Sequence, residues 1–462
     1  MKVSKYIGDK AFYRSIIAVA APILLQNIIT NFVNLLDNIM VGQVGTEPMS
    51  GVAIVNQLLF VFNLCIFGGL AGPGIFSAQF YGKGDLEGVR SSFRAKLYVG
   101  AAALVVFLAA LLTAGEDLIS LFLHEGQDAT LDLRATLDYG MDYLHVILLQ
   151  LLPFVVSQIY AGTLRESGET VLPMKAGIAA VFVNLFLNYV LIFGKFGAPA
   201  LGVVGAAVAT VIARFVECGI VVLWTHRRRD RCPYITGVYR SLRIPKPLLV
   251  QMAKSGAPLL VNELLWSAGM TMTSQCYSIR GLEVVSANNI ASTVNNLFFC
   301  SFFAIGNSIA IMIGQLLGAG ELDRAVEEDR QLITFSVLLN VVVGLVMFLC
   351  APLIPQIYNT TDAAKEIAAN MLRVSAVLMP IHAFTHASYF TLRSGGKTII
   401  TFLFDSAFLW VFNVPLAFVL SRYTTLPILS MFMCVQALEF VKCAIAAVLL
   451  RKRVWVNNLV KD

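Results

Sequence analysis

The chain has 462 residues, 58% of them hydrophobic and 13% charged, with a mean hydropathy of +0.76. Soluble domains carry about a quarter charged residues, so this composition excludes a soluble globular fold and places the chain in lipid. No polar stretch is long enough to fold alone, which excludes a soluble catalytic domain, and the net charge of +6 needs no nucleic-acid partner because topology accounts for it.

About 20 apolar residues span a bilayer. Twelve such runs are predicted, at 15–41, 51–80, 93–115, 140–163, 173–194, 200–225, 249–279, 285–317, 331–353, 372–392, 398–420 and 427–450. The basic start, Lys2, Lys5, Lys10 and Arg14, leads into a run too long for the apolar core of a cleaved signal, so the first helix is expected to stay. With the N-terminus inside, the cytoplasmic side carries 26 Lys and Arg. The opposite side carries six: Arg134, Lys195, Arg280, Lys365, Arg373 and Arg422. Positive loops are retained inside, so a multi-pass protein of the cytoplasmic (inner) membrane is expected, a monomer with both termini cytoplasmic. The densest run, His226 to Arg231, reads as a topology anchor in reach of anionic headgroups. Eight cysteines without a CxxC pattern read as free thiols.

Residues 21–90, slid by 236 positions, meet their own copy. Ala21-Pro22 falls on Ala257-Pro258, Phe62 on Phe298, Gln79 on Gln315, and Gly82-Lys83-Gly84-Asp85-Leu86 on Gly318-Ala319-Gly320-Glu321-Leu322. At an offset of 228, Leu164 to Thr170 meets Leu392 to Thr398. The expected fold is an all-α membrane protein of twelve transmembrane helices in two pseudo-symmetric six-helix bundles. Its divisions are an N-terminal lobe at 1–225, a cytoplasmic linker at 226–248 and a C-terminal lobe at 249–462. An even number of spans per copy gives both the same orientation, an architecture in which one lobe rocks against the other to alternate access.

The motifs Asp37-Asn38-Ile39-Met40-Val41-Gly42-Gln43-Val44-Gly45, Gln79-Phe80-Tyr81-Gly82-Lys83-Gly84-Asp85, Leu164 to Thr170, Asn184 to Gly194 and Gly205 to Thr210 occur in this order. In this duplicated frame they resemble the multidrug and toxic compound extrusion (MATE) family, bacterial type, over the whole chain. The resemblance implies a secondary antiporter that exports amphipathic, often cationic organic compounds in exchange for H+ or Na+ by alternating access. It implies no enzyme activity and no cofactor besides that coupling ion. The rival is a flippase for a lipid-linked saccharide or lipid precursor, but the cations such a flippase would need for a diphosphate reduce here to Arg214, Lys442 and Arg373.

A charged group inside a bilayer costs about 2.5–3.5 kcal/mol or more, so each intramembrane acid needs a reason. Asp37 shares a helix face about 80° wide with Asn27, Thr30 and Asn34. That face lines a polar cavity; the bland alternative is an Asp solvated near a helix end. By resemblance, Asp37 matches the N-lobe acid whose protonation or sodium binding drives export. Asn184 and Asn188 share a face four residues apart, and Thr210 lies in the next span. The four supply a carboxylate, two amides and a hydroxyl, which suits a hard cation, although helix-to-helix hydrogen bonding explains each amide as well.

In the second copy, Glu263 starts a polar face and Asp405 lies in the eleventh span; some relatives of the family carry an acid in the tenth span, where this chain has His382 and His386. The histidine pair lacks the further ligands zinc needs, so no metal is assigned and the rings read as polar or proton-relay groups facing the interior. Asn295, in an Asn-rich eighth span, is a candidate for the substrate wall. Pro22, fifteen residues before Asp37, is a candidate hinge. Gly396-Lys397-Thr398 is not a nucleotide loop, because it sits in a short turn between membrane helices.

Overall fold

The computed structural model describes residues 6–123 and 132–461, and at 34, 35 and 38 the backbone alone. Asn34's side chain, Lys2 and Lys5 thus lie outside the described residues. Twelve long helices follow one another among these residues. The first six are α1 Lys10–Gly42, α2 Thr46–Lys83, α3 Leu86–Ser120, α4 Leu133–Glu166, α5 Val171–Phe193 and α6 Gly202–Arg227. The second six are α7 Lys246–Ser278, α8 Leu282–Ala319, α9 Leu322–Cys350, α10 Asp362–Ser394, α11 Thr398–Tyr423 and α12 Ile428–Arg451. Eleven are long and apolar enough to cross a membrane. The other, α7, has the length, but Asn262, Glu263, Ser267, Thr271, Thr273 and Ser274 make it more polar. The duplication shows in the lengths: α1 and α7 have 33 residues each, α2 and α8 have 38 each.

The repeated glycine motifs are repeated turns. After α2, Gly84 takes φ +80° while Asp85 N–H donates to Phe80 O at 2.9 Å and Gly84 N–H to Tyr81 O at 3.0 Å. After α8, Gly320 takes φ +80°, with Glu321 N–H on Leu316 O and Gly320 N–H on Leu317 O. This is the Schellman cap, which needs a left-handed residue and hence glycine. The turns after α4 and α10 repeat it at Gly168 and Gly396. Because these caps hand the chain straight to the next helix, α3 begins at Leu86 rather than 93 and α9 at Leu322 rather than 331. Arg90 is therefore a helical, not a loop, residue.

Packing divides the chain into two units, one of Met1–Leu24, Ala78–Asp85 and Ala253–Asp462, the other of Leu25–Ser77 and Leu86–Met252. This differs from a division at the linker for a physical reason. The first half of α1 buries Ile16 and Ala20 among Ile305, Ile309, Leu332 and Phe390 of the C-terminal unit. The end of α2 is fixed in the same unit by Gln79, fully buried, whose amide donates to Ser394 O at 3.0 Å and accepts from Leu459 N–H at 2.8 Å. At that point α2 and α8 approach so closely that a Cβ on Gly82 would lie 1.9 Å from Gln315 O, and one on Gly318 1.8 Å from Gln79 O.

In the N-terminal unit the linker after α6 lies along one stripe of α3. Arg90 donates to Tyr234 O, Arg94 to Val238 O at 2.9 Å, and Tyr98 to Leu242 O at 2.9 Å. Four-residue spacing puts these three donors on one face. Within the linker Cys232 and Tyr234 are buried, and burial pushes the thiol and the phenol up.

Candidate functional site

Asp37 is partly buried five residues before the end of α1, facing α5 and α6. Asn188, 1% exposed, donates to its Oδ1 at 2.7 Å. Asn184, 7% exposed, lies one turn away on α5. Amide orientation is assigned from the network; with its nitrogen toward the carboxylate, Asn184 donates to both Asp37 oxygens at 2.8 and 3.1 Å and accepts from Thr210 at 3.1 Å. The structure thus brings together Asp37, Asn184, Asn188 and Thr210. Hydrogen bonds to a charged acceptor contribute about 1.5–3 kcal/mol each, but amides bring no positive charge. Among the described residues the hydrogen-bond partners of Asp37 are thus amides, with no opposite charge among them.

Beside this group a cavity of ≈ 340 Å³ opens, lined by Asp37, Asn56, Asn63, Tyr143, Phe154 and Arg214 among others. Tyr143, 5% exposed, donates to Asn56 at 3.4 Å. The size is in the range of small-molecule sites, about 300–1,000 Å³. Deeper in the same unit Lys96, 1% exposed, pairs with Glu166 and donates to Thr163 at 2.9 Å.

The C-terminal unit joins its predicted polar residues differently. Asp405 pairs with Lys442 at 2.8 Å and accepts from Asn262 at 3.1 Å. Tyr389 donates to Glu263 at 3.3 Å and accepts from Asn262 at 3.3 Å. The backbone of α11 is π-helical over Leu403–Ala407 and Leu409–Asn413, a widening often found at functional positions. Ser406 Oγ donates there to Asn262 O at 2.7 Å. Asp405 and Glu263 therefore belong to one cluster, but Asp405 is already neutralised.

His382 and His386 meet different partners. His382 Nδ1 lies 3.7 Å from Glu439, which also accepts from Thr385 at 3.2 Å, while His386 stacks on Phe302 with ring centroids 4.5 Å apart. Asn295 donates to Ser375 at 3.4 Å, so its amide nitrogen is engaged between α8 and α10. Pro22 is buried in α1, which continues as helix through it to Gly42. Glu439 is an intramembrane acid absent from the sequence-based candidates, although Lys442 stood among the interior cations; an acid and a base three residues apart in an otherwise apolar span were the available signal. It also left Asn262 and Tyr389 unmarked, since neither carries a charge.

Two repeated sets of six helices, each burying acids among amides, hydroxyls and bases, make a duplicated helical membrane protein. The chain belongs to the MatE family, the MATE transporters, whose family model matches residues 22–190 and 258–419, once in each half; it is a multi-pass membrane protein and not an enzyme. It is 27% identical over 418 residues to the probable multidrug resistance protein NorM of Thermotoga maritima, covering 90% of this chain and 87% of the relative. To the probable multidrug resistance protein YoeA of Bacillus subtilis it is 26% identical over 440 residues, covering 93% and 91%. An outward-facing multidrug resistance MATE family transporter of the MOP superfamily matches with a TM-score of 0.86 at 19% identity over 98% of each chain, a likeness of fold. The two family matches begin at Pro22 and Pro258, the spacing of the internal repeat.

Proposed function

We propose that the protein exports amphipathic, often cationic organic compounds across the cytoplasmic membrane in exchange for H+ or Na+, with Asp37 as the coupling carboxylate. The observation that carries this is the environment of Asp37. Its acid is held by the amides of Asn184 and Asn188 beside a cavity, with no basic side chain among its hydrogen-bond partners in the described residues. A proton or sodium ion arriving there neutralises the acid and rearranges the amides, and that exchange couples ion entry to compound release. Asp405, paired with Lys442, lacks this freedom and serves with Glu263, His382 and His386 as polar structure or cation-binding surface on the C-terminal side. The flippase reading gains little, because Arg214 is the one cationic side chain lining the cavity among the described residues.

The protein works as a monomer with both termini in the cytoplasm, and α1 moves about Pro22. Two facts support the hinge: the proline removes a backbone donor within the helix, and α1 passes from one packing unit to the other at Leu24–Leu25, just beyond it. The test is transport in inverted vesicles under an imposed proton or sodium gradient. Asp37→Asn keeps the shape and removes the charge, and is expected to abolish gradient-driven export while compound binding persists. Export at the unaltered rate by that variant would falsify the assignment.

A further inference from the structure

Another cavity, of ≈ 520 Å³, lies within the C-terminal unit and shares no lining residue with the one beside Asp37. It forms where α7 turns into α8 and α11 into α12, and Arg280, Leu282, Glu283, Ile367, Leu426 and Pro427 are among its lining residues. Arg280 Nη2 donates to Leu420 O at 2.8 Å and to Thr424 O at 2.6 Å, which closes the end of α11. That task occupies one nitrogen: among the described residues Nη1 has no hydrogen-bond partner, and Nε is buried without one. The duplication shows that the turn itself does not call for an arginine. Slid by 236 positions, Gly281 and Glu283 fall on Gly45 and Glu47, and both glycines take positive φ, but Arg280 falls on Val44. Glu283 is exposed and makes no ion pair among the described residues. The cavity thus offers an unspent cation and an unpaired anion at the ends of membrane helices. Beside them Leu282 is 84% exposed and the Tyr423 ring 76% exposed, and aromatic rings at helix ends favour the headgroup level of a bilayer.

We propose that this cavity holds the headgroup of a zwitterionic phospholipid bearing a primary amine, of the phosphatidylethanolamine type. A guanidinium matches phosphate oxygens, so the phosphate accepts from Arg280, while the ammonium, with three N–H donors, donates to Glu283. Leu282, Ile367 and Leu426 supply the apolar surface along which the chains leave. The selectivity follows from the charges: a choline headgroup has no N–H to give Glu283, and a glycerol headgroup brings no cation to it. The topology proposed above puts the site in the outer leaflet, whereas recognition of the headgroup is independent of topology and of export.

The test uses the purified full chain in detergent, offered dioleoyl phosphatidylethanolamine, phosphatidylcholine or phosphatidylglycerol, with binding read by native mass spectrometry. A photoreactive phosphatidylethanolamine and peptide mapping locate the site. Crosslinks are expected on residues 280–284 and 426–428, with the ethanolamine lipid bound about tenfold more tightly than the choline lipid, the gain of one charge-assisted contact. Arg280→Gln should weaken all three lipids about tenfold by the same reckoning. Glu283→Gln should remove the preference for ethanolamine over choline and leave choline binding as it was. Crosslinks confined to other segments, or a preference that survives Glu283→Gln, overturn the proposal. Glycerophosphoethanolamine, the headgroup without chains, separates a lipid from a soluble ligand: it should fail to displace the lipid, and displacement at equal concentration would overturn the lipid assignment. If Arg280→Gln is not recovered folded because the end of α11 loses its donor, the exposed Glu283→Gln decides the matter alone. A reversed topology in cysteine labelling would overturn the leaflet and leave the headgroup results standing.

Discussion

Asp37 and Asp405 are both acids within membrane helices, yet one is met by amides and the other by an ammonium, and this difference decides what each can do. Breaking a buried ion pair by removing one partner costs about 3–5 kcal/mol because the remaining charge is uncompensated. Lys442→Met should therefore lower the unfolding temperature of the purified protein more than the double variant Asp405→Asn/Lys442→Met does; a double variant less stable than the single would contradict the pairing seen at 2.8 Å. Asp37→Asn, whose native partners are two amides, should leave thermal stability close to wild type while removing ion dependence. The four members of the proposed coupling group could be picked out in the sequence because Asp37, Asn184, Asn188 and Thr210 are polar residues in apolar spans. Their assembly around one carboxylate was not, since it depends on how α5 and α6 face α1. Glu439 and the pairing of Lys442 were hidden for a related reason: their partners, His382 and Asp405, lie 57 and 37 residues away on other helices.

At the scale of elements, Pro22 and the crossing of α2 with α8 make separate demands. Pro22→Ala should slow export more than it reduces folded yield, because α1 is already helical through that position. Distances between spin labels on the second half of α1 and on α5, measured at high and low pH, check this; an equal pH-dependent change in wild type and Pro22→Ala would remove the hinge. Gly82→Leu and Gly318→Leu should fail differently, by loss of folded protein, since even a Cβ would press on a backbone carbonyl less than 2 Å away. Recovery of either variant in wild-type amounts, by fluorescence-detected size exclusion, would contradict the crossing. The helices were predictable from apolar runs, and the duplicated glycine turns from the repeat. The π-helical stretch of α11 was not, because neither a proline nor a glycine marks 403–413; side-chain bonds from Asn262 and Ser406 accompany it.

For the whole molecule, orientation is the property most open to direct test. In a background without the eight native cysteines, single cysteines at Arg240 and Arg453 should react with a membrane-impermeant thiol reagent only from the cytoplasmic side, and those at Ser120 and Arg134 only from the other. Labelling of all four from one side would exclude the proposed topology. The attachment of Leu459 to Gln79 has a consequence for how the protein is made. The two residues are 380 positions apart, and synthesis at ~5–20 residues per second separates them by about 20–80 s. For that interval the end of α2 is already made while its fully buried amide lacks its final backbone donor. The end of α2 must therefore wait in the membrane, formed but incompletely docked, until residues near 459 leave the ribosome, whereas 25–77 and 86–252 contain all the chain their own unit needs. A pulse-chase experiment should find protease resistance near Gln79 arising only after that delay.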